Sequence, residues 1–118
     1  MVPAIENTDG QIRISITTLS EVIAREVVQV PGVVDTFESI LPAIKISENG
    51  QSFQMTDKVE IRHRSFEVNL MISLDPTCVF WKVASEVQKN VYAIIERQLG
   101  FSLQKVNVEV GKVEWSIT

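Results

Sequence analysis

The sequence predicts an α+β two-layer sandwich: one mixed or antiparallel sheet with two helices on a single face. Three observations carry that expectation. Two segments repeat apolar residues every three or four positions, as amphipathic helices do. Several others alternate apolar with polar residues, as strands with one covered face do. These segments follow one another in the order β-α-β-β-β-α-β. A pair of amphipathic helices and a set of one-sided strands bury most apolar surface when both helices lie on the same side of the sheet.

Taken in order, residues 1–9 are expected as a flexible N-terminus, with neither the basic start nor the apolar run of a secretion signal. "GQIRIS" alternates Ile12 and Ile14 around Arg13 and predicts a short first strand. In "ITTLSEVIAREVVQV", Ile16, Leu19, Ile23, Val27 and Val30 form one helical stripe. Ser15, Thr17 and Thr18 all offer capping oxygens, and Thr18 with Glu21 has capping-box spacing. Pro31 and Gly32 stop this helix, the first by lacking an N–H and the second by accepting a positive φ.

"VVDTF" reads as a short strand, and residues 38–57 as an irregular connection with a brief helix or hairpin around "SILPAIKI". Strict alternation returns in "KVEIRHRSFEVNLMISL", predicting two strands joined by a tight turn near His63, Arg64 and Ser65. The second helix follows, with Phe80, Val83, Ala84, Val87, Val91, Ile94, Ile95 and Leu99 as its stripe and Gly100 as its stop. It starts either at Asp75 and Pro76 or nearer Phe80. In the closing strand Val106, Val108 and Val110 give way to Val113, Trp115 and Ile117, a shift of one position that predicts a β-bulge at Gly111. Trp115 and Ile117 then cover the end of the core or offer an edge to another subunit.

With 118 residues the chain is the size of one domain, residues 1–118. Its net charge of −4 provides no general field for nucleic acid or an anionic membrane. No stretch approaches the roughly 20 apolar residues of a bilayer-spanning helix. The single cysteine, Cys78, rules out an intrachain disulfide and fits a reducing cytoplasm.

The period of two places Arg13, Glu60, Arg62, Glu67, Asn69, Met71, Ser73, Asn107 and Glu109 on the side away from the helices. That face is polar, mixed in sign and lacks the aromatic platforms on which bases stack, so nucleic acid is not expected as a partner. Arg13, Glu60, Arg62, Asn69, Asn107, Glu109 and the terminal Trp115 are the candidate partner-binding residues. Arg62, His63 and Arg64 read as a solvated basic turn, with an anion site as the alternative.

Catalytic signals are weak. His63 is the only histidine and sits at an expected turn, so neither a serine nor a cysteine nucleophile has an obvious base. One cysteine and one histidine do not make a zinc site without several carboxylates. Gly32 follows a helix instead of preceding one, contrary to phosphate cradling. The chain reads as non-enzymatic, with no cofactor and no metal.

"GQIRIS", the helix closing in "VPGV", "FEVNLMISL", "KVASEVQKNV" and above all "GFSLQKVNVEVGKV" together resemble the alkaline shock protein family. These are envelope stress response proteins, mainly of Gram-positive bacteria. The likeness covers nearly all of residues 10–115, and the terminal "VNVEVGKV" is its most specific part. It implies a cytoplasmic protein of envelope stress or homeostasis without catalytic residues. Some members self-assemble and are held at the membrane by a separate anchor protein. The resemblance therefore implies a homo-oligomer with a possible membrane-anchor partner. A small-molecule-binding regulatory domain, with residues 38–57 as a lid, is the alternative function.

Overall fold

The computed structural model describes residues 10–60, 65–100 and 102–114. Its elements are β1 (Arg13–Ser15), α1 (Ile16–Val27), α2 (Phe37–Ile40) with a 3-10 turn at Leu41–Ala43, and β2 (Ile44–Glu48). β3 (Gln51–Ser52), β4 (Lys58–Glu60) and β5 (Ser65–Leu74) follow. Last come α3 (Phe80–Ile94), ending in a π-helical turn at Ile95–Leu99, and β6 (Ser102–Val113). The α+β class is the one the sequence predicts.

α1 begins where Ser15, the first of the three candidate caps, accepts a hydrogen bond from the Thr18 amide at 3.1 Å. Its buried stripe is Ile16, Leu19, Ile23, Ala24 and Val27. Beyond it Gly32 has φ +100°, and a Cβ there would lie 2.8 Å from a Val83 methyl and 3.3 Å from the Cys78 Cβ. Gly32 thus does two things: it takes the left-handed conformation and lets the start of α3 pack close. Of the two expected starts for that helix, Phe80 is the observed one. Gly100, at φ +70°, follows its final turn.

The principal sheet has the order β3-β2-β5-β6. β2 runs antiparallel to β5, pairing Ile44 with Leu70 and Ile46 with Val68. β6 runs parallel to β5, as a strand reached through a crossover helix must. Parallel pairing here slips twice, between Phe66 and Glu67 and between Ile72 and Ser73. The second slip leaves Gly111 as the extra residue between Val110 and Lys112, which is the expected bulge. The first, at Gln104, moves the buried positions from odd-numbered Leu103 to even-numbered Val106, a second change of beat that the sequence reading passed over.

Phe66, Val68, Leu70, Ile72 and Leu74 of β5 join Val83, Val87, Val91 and Ile94 of α3 and the α1 stripe in one buried cluster. Both long helices therefore share the sheet face that the apolar positions define.

Several expectations are corrected. The strands do not form one sheet: β1 and β4 make a separate two-stranded ladder, pairing Arg13 with Glu60 and Ser15 with Lys58. β4, expected to form a hairpin with β5, has β1 as its partner among the described residues; of the turn expected near His63, Arg64 and Ser65, the first two lie outside them and Ser65 opens β5. Alternation shows which side of a strand is covered and says nothing about its neighbour.

"VVDTF" is not a strand. It contributes one bridge, Val33 to Leu74, after which Asp35 and Thr36 turn the chain into α2. Asp35 Oδ2 accepts from the Ser73 amide at 2.7 Å, and Thr36 and Ser39 cap reciprocally. Residues 38–57, expected as an irregular connection with a brief helix or hairpin around "SILPAIKI", do hold most of the short helix, but they are more regular than expected, adding the β2–β3 hairpin. Phe80, assigned to the helix stripe, is 41% exposed because it occupies the first turn, beyond the core.

Candidate functional site

The side of the principal sheet away from α1 and α3 carries the candidate site. Its geometry follows from three adjacent strands in register. Lys45 of β2 lies opposite Asn69 of β5, and Asn69 opposite Asn107 of β6, forming a polar row across the sheet. Asn107 Nδ2 donates to Asn69 Oδ1 at 2.8 Å, so the two amides lock each other's orientation. One row away, Glu67 faces Lys105 with their charged atoms 3.9 Å apart, and on the other side Met71 faces Glu109.

Ala43, Lys45, Asn69, Met71, Asn107 and Glu109 border an open concavity of about 400 Å³. Met71, 46% exposed, supplies its apolar floor, and Gly111 is what makes room for that side chain, since a Cβ would collide with Met71 Sδ and Cγ. The Lys105–Glu67 pair is exposed enough, at 62% and 30%, that water screens it and it adds little to stability. On the helix side, Gln88 Nε2 of α3 donates to the Val106 carbonyl at 2.9 Å and ties the crossover helix to β6.

The sequence-derived candidates divide into three groups. Asn69, Asn107 and Glu109 are brought together here. Arg13 and Glu60 stand opposite each other in the separate β1–β4 ladder. Arg62 and Trp115 lie outside the described residues. Lys45 completes the polar row and was missed, because "AIKIS" falls in a stretch read as irregular; Ile44 and Ile46 flanking Lys45 were the available signal. Also missed was the exposed run Val79, Phe80 and Trp81 at the start of α3, at 50%, 41% and 68% exposure.

Among the described residues no group of three His, Cys, Asp or Glu side chains could hold a metal. Cys78 is half-buried beside the Gly32 turn. The Asp75 carboxyl, just past β5, is held below its ordinary value chiefly by the Thr77 hydroxyl and then by the Thr77 amide. That is turn chemistry joining β5 to α3. No helix of the described residues is long and apolar enough to cross a membrane.

Residues 4–115 match the model of the alkaline shock protein family, whose description is "cell envelope-related function". The chain belongs to this family. The expectation drawn from "VNVEVGKV" and its companion segments is thereby met, and with it a role related to the cell envelope. No curated protein sequence matches the chain significantly.

Among solved structures, variants of the MamM CTD align at 16% identity. One spans 82% of this family member and 95% of that chain with a TM-score of 0.48. A nickel form spans 82% and 98% with a TM-score of 0.48, and another variant 85% and 95% with a TM-score of 0.47. At that similarity no function passes from them to this alkaline shock protein family member.

Proposed function

We propose that this protein is a non-enzymatic cytoplasmic interaction module in cell-envelope biology. It acts by self-association or by docking to another protein, such as a membrane anchor, through the open sheet face and the adjoining strand β6. One observation carries the reading: both long helices are spent on one side of the principal sheet, leaving on the other a register-fixed bed of Lys45, Asn69, Asn107 and Glu109. Short-reach amides and opposite charges on rigid strands suit specific protein contact.

Sedimentation over a wide concentration range, together with affinity capture from a native bacterial lysate, tests it. Concentration-dependent assembly or one reproducible partner is the expected result. A strictly monomeric protein that captures nothing specific ends the proposal.

A second reading has its own observation. Ile16 together with Leu41, Ile44, Ile46, Phe53 and Met55 lines a groove of about 520 Å³, with Lys45, Ser52 and Gln54 as its polar members; residues 38–57 form its wall and not a lid, and it suits a small amphipathic ligand. A thermal-shift screen of metabolites and lipids is expected to give a saturable rise in Tm if this is right; none rising disposes of it.

A further inference from the structure

We infer that two copies of this protein join edge to edge through β6, antiparallel, about a two-fold axis at Asn107, so that their two principal sheets become one. The inference rests on the self-association arm of the proposed function and specifies its partner, surface and register.

β6 is the last strand of its sheet, with β5 as its one partner among the described residues. The opposite edge of the sheet differs: β3, at the far side, is two residues long. Short strands, prolines and bulges are how natural edges avoid pairing. Between the slips at Gln104 and Gly111, Lys105 to Val110 run without a bulge or a proline. This uninterrupted stretch offers a straight template for another strand.

The side chains select the register. In an antiparallel pair of identical strands, residues equidistant from the axis stand directly opposite each other on the same face. With the axis at Asn107, Lys105 faces Glu109 of the second copy, and Glu109 faces Lys105 of the second copy. The same axis sets Val106 against Val108 on the helix side, twice. Both charges of the stretch are thereby matched and apolar side chains meet apolar ones.

The competing positions do worse. An axis at Lys105 or at Glu109 places that charge against its own copy. An axis at Val106 or Val108 opposes a charge to Asn107 and leaves the remaining charge without a match. A slip of one residue sets polar positions against apolar ones. Asn107 is the one position in the stretch about which both charges and the Val106 and Val108 side chains all find complementary partners, with Val110 reaching only the slip at Gln104. The resulting contact also extends the polar bed continuously across both copies, since Asn107 is part of it.

The experiment is register-specific cross-linking, in full-length protein carrying Cys78→Ser so that the native thiol does not contribute. Asn107→Cys places the new thiol opposite its own copy, where directly opposed strand Cβ atoms lie within about 4.5–5.5 Å. Mild oxidation is expected to give a covalent dimer. Glu109→Cys alone is expected to give none, whereas a mixture of the Lys105→Cys and Glu109→Cys proteins gives the mixed dimer.

Sedimentation supplies the second arm. Glu109→Lys is expected to raise the dimer Kd about tenfold or more, since it sets like charges opposite each other twice. Lys105→Glu combined with Glu109→Lys is expected to restore it. Circular dichroism checks that each variant folds. If the protein associates but Asn107→Cys stays uncrosslinked or the charge swap fails to rescue, the edge register is overturned while self-association stands. If the protein is monomeric at every concentration, both this inference and the self-association arm fall.

Discussion

β5 and β6 lie side by side and are written in the same two-residue period, yet they do different work. β5 is paired on both sides, and Phe66, Val68, Leu70, Ile72 and Leu74 are each 3% exposed or less. β6 pairs on one side among the described residues, and its inward positions go from buried Val106 to half-buried Val108 and Val110. Periodicity reports which side of a strand is covered. Depth of burial depends on lateral neighbours, and those are fixed by contacts remote in sequence. Stability therefore concentrates in β5, while β6 keeps one edge without a strand partner among the described residues.

The sharpest way to break that contrast is to remove equivalent side chains. Leu70→Ala, in a site closed on all sides, is expected to cost about 2–5 kcal/mol in urea denaturation. Val108→Ala, across the same pair, is expected to cost about 1 kcal/mol or less. Equal losses would mean that β6 is as central to the core as β5.

Next in size is the junction where the two strands fall out of step. Gly111→Ala forces the Met71 side chain from its place and is expected to cost about 1 kcal/mol, with Met71→Ala in the same chain recovering most of it. No recovery would show that the bulge itself, not the crowding, needs glycine.

A change on the open face separates association from folding. Asn107→Lys with Glu109→Lys is expected to weaken self-association or partner capture while the urea midpoint stays nearly unchanged, because both side chains are exposed. A large loss of stability would move these residues from the surface role to a structural one.

The smallest effect lies at the β5–α3 turn. Folding favours the Asp75 anion, since its carboxyl sits below the ordinary 3.8. Its contribution is thus present above that value and disappears as pH falls through the lower, folded one. An NMR titration should place the Asp75 midpoint below that of an unfolded peptide, and Thr77→Ala should raise it.

Much of this was legible in the chain. Helix stripes, the "VPG" stop, the alternation of β5 and the skipped beat at Gly111 all have local causes, so local reading found them. Strand partners were not legible: "KVE" alternates equally well whether it meets β5 or, as it does, β1. Nor was "VVDTF", whose apolar start promised a strand while Asp35 and Thr36 were committed to binding Ser73 and capping α2. For the candidate site the period of two supplied Asn69, Asn107 and Glu109, but it could not tell that Arg13 and Glu60 belong to another ladder. Lys45 escaped because its strand was hidden among turn-forming neighbours.

The close approach at Gly32 reaches beyond the turn it closes. A methyl group of Val83, far along the chain, fills space that any other residue would claim for its own β-carbon. A fragment ending before α3 would leave that hollow unfilled, and one beginning at β5 would lose α1, the helix that packs beside α3. The halves of this protein are thus obliged to fold in each other's company.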